Sequence, residues 1–173
     1  MRRNLLTAVL AVLASTVLLG LVYPLVVTGI AQVAFGAKAD GDPNLIARDT
    51  KRDPRYFQPR PSQTGYDAGA TAFSNRGPNQ ASAEVFYREQ IAAYRRLNGA
   101  QPPIDAVTTS GSGVDPHISE ANAAIQARRV ARVRGLPLAR VQQLVEESTD
   151  GRFLGVLGEP GVNTTKLNEA LDR

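Results

Sequence analysis

The sequence predicts a single N-terminal transmembrane helix followed by a small α+β domain outside the cytoplasm. Three observations carry this. No Asp, Glu, Lys or Arg occurs from Asn4 to Ala37, a run dominated by Leu, Val and Ala. Asp40-Gly41-Asp42-Pro43 is a cluster of turn formers. Beyond it, helix-like and strand-like segments follow one another without the regular alternation of a parallel β-α-β sheet. The expected boundaries are 1–37 for the anchor, with a span of about 5–27, 38–43 for a linker and 44–173 for the soluble domain.

Leu5 to Val27, at about 1.5 Å rise per residue, is long enough for a roughly 30 Å hydrocarbon core. A cleaved signal peptide is the competing reading, with Arg2 and Arg3 as its basic head and Ala37-Lys38-Ala39 as its processing site. Signal cores run about 7–15 residues, so the longer run here favours a retained anchor. Arg2 and Arg3 precede the span, whereas the residues just after it offer only Lys38, which places the N-terminus in the cytoplasm and the domain on the outer face of a cytoplasmic (inner) membrane. Ser15, Thr16 and Gly20 form a small-residue face suited to another helix, Tyr23 suits the interface, and Pro24 should kink or loosen the last turn.

Between Asn44 and Asn79, Pro54, Pro59, Pro61, Gly65, Gly69, Gly77 and Pro78 leave no room for a helix of useful length. A helix is expected from an N-cap at about Ser82 to Leu97, with Tyr87, Ile91 and Tyr94 at helical spacing and Asn98-Gly99 as its stop. Ile104 to Thr108 is a Val/Thr-containing strand candidate. Ser119 can cap a helix with Asn122 at N3, ending near Gly135. After Pro137, Leu138, Val141, Leu144 and Val145 form an apolar stripe. Arg152 to Leu157 reads as a strand and Thr165 to Leu171 as a terminal helical turn or two.

Composition narrows the function. With no Cys and one His, thiol chemistry and zinc sites lack their ligands, and no phosphate-loop or calcium-loop pattern occurs. The net charge of +4 comes from scattered residues, 20 basic among 16 acidic, and Trp is absent. Arg128, Arg129, Arg132 and Arg134 read as a broad solvated face, and no nucleic-acid partner is expected.

Thr108 to Ser119 is the unusual stretch, gathering hydroxyls, Gly111, Gly113, Asp115 and His117. It admits two readings: an anion- or ligand-binding loop whose N–H groups converge at a helix start, or a structural loop in which Asp115 and Ser119 satisfy local backbone donors. A Ser-His-Asp hydrolase built on Ser112, His117 and Asp105 or Asp115 lacks the G-x-S-x-G context, because position 110 is Ser. Arg60-Pro61-Ser62 and Ser74-Asn75-Arg76 are either rigid interface anchors or ordinary turns. Asn163-Thr164-Thr165 matches a glycosylation sequon.

The sequence resembles the C subunit of the Kdp-type potassium-transporting ATPase. The likeness runs from Tyr23-Pro24-Leu25 and Thr28-Gly29 through Tyr56-Phe57, Arg60-Pro61-Ser62, Ser74-Asn75 and Gly77-Pro78. It is strongest in Asp105, Val107-Thr108, Ser110-Gly111-Ser112-Gly113 and Asp115-Pro116-His117-Ile118-Ser119. Gln126, Arg129-Val130-Ala131, Arg134-Gly135, Gly158-Glu159-Pro160, Val162-Asn163 and Leu167-Asn168 extend it. Arg76, Val114 and Thr164-Thr165 depart from the usual pattern.

The resemblance implies a complex of a channel-like K⁺-binding subunit, a P-type ATPase subunit and a small one-helix subunit, with this chain as a non-catalytic accessory in the bilayer. Agreeing with this, the Asp-Lys-Thr-Gly phosphorylation sequence is absent. No catalytic or metal-ligating residues are assigned, and no bound cofactor is expected; ATP belongs to the ATPase subunit and K⁺ is the transported ion. The motif residues Arg60, Ser62, Asn75, Ser110, Gly111, Ser112, Gly113, Asp115, His117, Ser119, Glu159 and Asn163 become interface candidates. Two roles follow: an assembly subunit, or a catalytic chaperone that raises ATP affinity, with Gln142 and Gln143 as nucleotide-linked candidates. The alternative is a periplasmic enzyme or sensor domain on an anchor.

Overall fold

The computed structural model describes residues 2–36 and 41–173, so Ala37-Lys38-Ala39 and Asp40, and with them most of the expected linker, lie outside the described residues. The chain divides into two compact units, Met1–Asp42 and Pro43–Arg173.

The first unit contains one continuous apolar helix, Arg2–Phe35. It comprises α1 (Arg2–Val17), a wide π-helical turn at Leu18–Val22, and α2 (Tyr23–Phe35). Its 34 residues make it the one helix, among the described residues, long and apolar enough to cross a membrane, and none of its apolar window is buried. Pro24 explains the wide turn. Proline has no N–H and its ring crowds the carbonyl of the preceding turn, so the backbone opens to i→i+5 bonding, with the Tyr23 N–H donating to the Leu18 carbonyl. The loosening falls before Pro24, and the helix then runs on to Phe35, beyond the expected span.

The second unit is rich in helix. α3 (Ala81–Asn98), α4 (Glu120–Arg134), α5 (Leu138–Glu147) and α6 (Thr164–Leu171) surround a three-stranded antiparallel sheet of very short strands, β1 (His117–Ile118), β2 (Thr149–Asp150) and β3 (Gly161–Asn163). The order is β1-β3-β2, with His117 opposite Asn163, Ile118 opposite Val162 and Asp150 opposite Gly161. α4 is the central helix. Its Ala123, Ala127, Val130 and Ala131 meet Val141 and Leu144 of α5, Leu167 and Leu171 of α6, Val162 of β3 and Phe57. Completely buried side chains of this kind stabilise by roughly 1.5–3 kcal/mol each for Val, Leu or Phe.

Helix ends follow local chemistry. The Ser119 hydroxyl accepts from the Asn122 N–H, the Asn163 carboxamide accepts from the Lys166 N–H, and Gly99 and Gly135 close α3 and α4 in the left-handed conformation. α3 departs from expectation. A turn in which the Gln80 N–H donates to the Gly77 carbonyl leaves Gln80 extended, so Gln80 takes the cap position and Ser82 falls inside the first turn. Tyr94 is buried, but Tyr87 lies on the solvent side, because the inward face runs through Ala83, Phe86, Gln90 and Tyr94.

Two expected strands do not form. Pro102 and Pro103 lead into a 3-10 turn at Ile104–Ala106, whose carbonyl at Ile104 accepts from Val107 N–H, Thr108 N–H and the Thr108 hydroxyl. Arg152 to Leu157 is a tight turn bridged between Phe153 and Leu157, with Leu154 and Gly155 at positive φ, so the segment folds back on itself instead of extending. Leu138, expected in the α5 stripe, is 40% exposed at the helix start.

Candidate functional site

A buried ladder of polar side chains runs along one face of α4. Asp105 accepts from Ser119 N–H (2.8 Å), the Ser119 hydroxyl (2.8 Å) and Asn122 Nδ2 (3.0 Å). The Asn122 Oδ1 accepts from the Tyr94 hydroxyl at 2.9 Å and from Gln126 Nε2 at 3.0 Å. Gln126 exchanges hydrogen bonds with the backbone of Gln58 (2.7 and 3.1 Å), while Asn168 of α6 does the same for Phe57 (2.8 and 2.9 Å). Two amide side chains thus replace the partner strand that this irregular segment lacks.

Arg129 ends the ladder. It is 1% exposed and forms no ion pair with a carboxylate among the described residues; instead its guanidinium donates to the Asn98 and Gln126 carboxamides and to the Pro54 and Tyr56 carbonyls. Burial brings its pKa down to about 10, which still leaves it charged at neutral pH. The expectation of a solvated Arg128 to Arg134 face fails for Arg129, and for Arg134, which donates to the Arg55 and Leu171 carbonyls and pairs with Asp172 at 2.7 Å. Long-range carbonyls supply the reason; spacing on α4 alone does not reveal them.

The loop before α4 is clamped by the triplet Arg60-Pro61-Ser62. Arg60 Nη2 donates to the Thr108 hydroxyl and Thr109 carbonyl (both 3.3 Å), Pro61 accepts from Ser110 N–H (2.9 Å), and the Ser62 hydroxyl donates to the Gly113 carbonyl (2.6 Å). Inside the loop, Gly113 N–H donates to Ser110 Oγ and Val114 N–H to Ser112 Oγ, both at 3.2 Å. These donors are thereby committed to the loop itself. Gly113 has φ +78°, and a Cβ there would lie 2.7 Å from Thr64 Oγ1 and 2.8 Å from the Ala72 carbonyl, so only glycine fits; Gly111 faces open space.

Beside the loop, His117 sits between two carboxylates: Nδ1 is 3.0 Å from Asp115 and Nε2 is 2.8 Å from Asp150. Ionised carboxylates only accept, so both ring nitrogens donate and the imidazolium is favoured. Burial lowers the imidazole pKa, but the hydrogen bonds and charges of Asp150 and Asp115 outweigh it and the net shift is upward from 6.5. To reach Asp150, the ring crosses β3 at Gly161, where a Cβ would come within 3.1 Å of the His117 Cβ.

Arg60, Asp115, His117, Ser119 and Glu159 line a common cavity of about 530 Å³, together with Asp105 and Asp150. Ser62, Ser110, Ser112 and Gly113 build the adjoining turn. Asn75 is exposed at φ 52°, near Gly111 and Ser112 in a separate depression. Asn163 is buried, capping α6 and donating from Nδ2 to the Asn44 carbonyl at 2.7 Å, which removes it as a glycosylation acceptor. Gln142 and Gln143 are exposed on α5, where the Gln143 carboxamide accepts from Arg140 and donates to Glu147 of the same helix. No Ser-His-Asp relay is formed, since both His117 nitrogens are held by carboxylates. Among the described residues no group of three His, Cys, Asp or Glu is placed to hold a metal ion.

The site residues beyond the sequence candidates are Asn122, Gln126, Arg129, Asp150 and Gly161. A polar stripe at Ser119, Asn122, Gln126 and Arg129, three to four residues apart on an alanine-rich helix, was the available signal for the ladder.

An apolar helix of membrane-crossing length followed by a small domain whose buried polar groups hold its own backbone has the make-up of a single-pass membrane protein. Within that class, the chain belongs to the family of K⁺-transporting ATPase c chains (KdpC), which matches residues 5–173. It is 45% identical over 190 aligned positions to the potassium-transporting ATPase KdpC subunit of Mycobacterium tuberculosis strain H37Rv, covering all of both chains. With the KdpC subunit of Koribacter versatilis it shares 44% over 184 positions, 99% of this chain and 95% of the relative. With that of Methylococcus capsulatus it shares 45% over 182 positions, 95% of each.

Proposed function

We propose that this chain is the single-pass accessory subunit of an ATP-driven potassium pump, assembling with a channel-like K⁺-binding subunit, a P-type ATPase subunit and a small one-helix subunit. The family match over residues 5–173 is the observation that carries this reading. In it, residues 1–37 anchor the chain, the N-terminus is cytoplasmic, and the domain from about residue 44 stands on the outer face of the inner membrane. The basic pair Arg2 and Arg3 ahead of the apolar helix supports that orientation.

The chain contributes assembly and stability rather than chemistry. His117 is engaged as an ion-pair bridge and the loop hydroxyls as internal ties, which supports a scaffold role for Arg60, Ser62, Ser110, Ser112, Asp115 and Ser119. Any effect on ATP affinity acts at a distance. A coupling of about 1–3 kcal/mol through the membrane subunits changes affinity roughly 5- to 150-fold without a nucleotide contact at Gln142 or Gln143.

The test uses the absence of Cys. Gly111→Cys, at an exposed position with open space around its Cβ, is expected to react with a membrane-impermeant thiol reagent in spheroplasts expressing the whole pump, and the labelled chain should co-purify with the ATPase subunit. Labelling only after permeabilisation reverses the topology; labelled chain recovered free of the other subunits overturns the assembly role.

A further inference from the structure

The hairpin between β2 and β3 is built opposite to the usual surface turn. Phe153, Leu154, Val156 and Leu157 are 58% to 78% exposed, although loops of this kind are ordinarily polar. The tip is nevertheless ordered by its own bonds. Phe153 N–H donates to the Leu157 carbonyl at 2.8 Å and Leu157 N–H to the Phe153 carbonyl at 3.0 Å, with Leu154, Gly155 and Gly158 at positive φ. Its base is pinned by the pairing of Thr149 with Val162 and Asp150 with Gly161.

At that base opens the cavity lined by Asp105, Asp115, Asp150 and Glu159 against Arg60 and His117, so carboxylates outnumber cations. An apolar knob next to an acidic recess specifies its counterpart: an apolar pocket flanked by a basic side chain.

We infer that the Phe153 to Leu157 hairpin is the docking knob of this chain, seated in an apolar pocket of another subunit of the pump whose Lys or Arg enters the acidic cavity at the hairpin base. This rests on the subunit role proposed above. Charge selects a protein over the bilayer, because membrane-surface elements carry cations towards anionic headgroups, whereas here Arg152 is paired with Glu159 at 3.4 Å and the flank is acidic.

The experiment uses the full chain co-expressed with the other pump subunits. Benzoyl-phenylalanine introduced at Leu154 keeps the tip apolar and is expected to cross-link to another subunit. Leu154→Asp is expected to lower the amount of chain recovered with an affinity-tagged ATPase subunit roughly tenfold or more, as loss of an interface anchor does. Val85→Asp, at a 56% exposed position on α3, should leave recovery unchanged. Cross-linking to lipid or to nothing overturns the inference, as does full recovery of Leu154→Asp. If Leu154→Asp lowers the melting temperature, the cross-link alone decides. Failure of the unsubstituted chain to co-purify overturns the subunit role itself, and the hairpin inference with it.

Discussion

The α4 ladder and the β2–β3 hairpin are opposites within one domain. Along α4 the polar atoms are inside: Asn122, Gln126 and Arg129 are each 1% exposed, with partners on α3, the 53–60 segment and the Asp105 turn. In the hairpin the apolar atoms are outside, on a turn whose backbone bonds only itself. Buried polar groups that are fully matched stabilise one arrangement of the chain, because any shift strands a donor or acceptor in a dry interior. Exposed apolar groups on an ordered turn add nothing to the folded chain and become useful only when covered. Rigidity therefore resides in the ladder, and the proposed contact with a partner in the hairpin.

That contrast is broken most forcefully at Arg129. Arg129→Met removes the guanidinium donor to the Pro54 carbonyl and the Asn98 carboxamide and leaves the Tyr56 carbonyl and the Gln126 carboxamide with Gln58 as donor, and it should lower stability by about 3–5 kcal/mol. Thermal or denaturant unfolding of the detergent-solubilised chain measures this. A loss below about 1 kcal/mol would show that the ladder does not carry the fold.

A smaller effect is expected in the loop that the ladder supports. Gly113→Ala must place a Cβ at positive φ against Thr64 and the Ala72 carbonyl and should cost about 1–3 kcal/mol, whereas Gly111→Ala, two residues away, should stay within about 0.5 kcal/mol. Melting curves of the pair separate a required glycine from an incidental one; equal shifts would refute the geometry.

The smallest effect is the pH dependence at the joint between ladder and hairpin, where His117 bridges Asp115 and Asp150. Its folded pKa lies above the ordinary 6.5, so its contribution is complete below about pH 6.5 and disappears as pH rises through the folded value. The melting temperature of the unsubstituted chain should therefore fall, relative to His117→Gln, as pH rises above about 6.5. Parallel curves would mean that the carboxylates do not hold the imidazolium.

Much of the helical structure was legible from local chemistry. Ser119 with Asn122, the glycines at 99 and 135 and the Val141/Leu144 spacing act over a turn or less, so neighbours in sequence suffice to specify them. The candidate site was half legible. Arg60, Asp115, His117, Ser119 and Glu159 do converge, but Asp150 and Gly161, which complete the His117 bridge, carry no motif.

By itself the sequence determined the long apolar helix, its perturbation at Pro24, the cap at Ser119, the stops at Gly99 and Gly135 and the lack of cysteine thiols, all consequences of residue type and short-range spacing. Only the tertiary structure decided that Arg129 is buried, that strands of two or three residues form a sheet, and that Arg152 to Leu157 turns back on itself with its apolar side chains outward. The physical reason is distance along the chain. Arg129 meets Pro54 across 75 residues and Asn163 meets Asn44 across 119, and such partners become available only once the core of α4, α5 and α6 has closed.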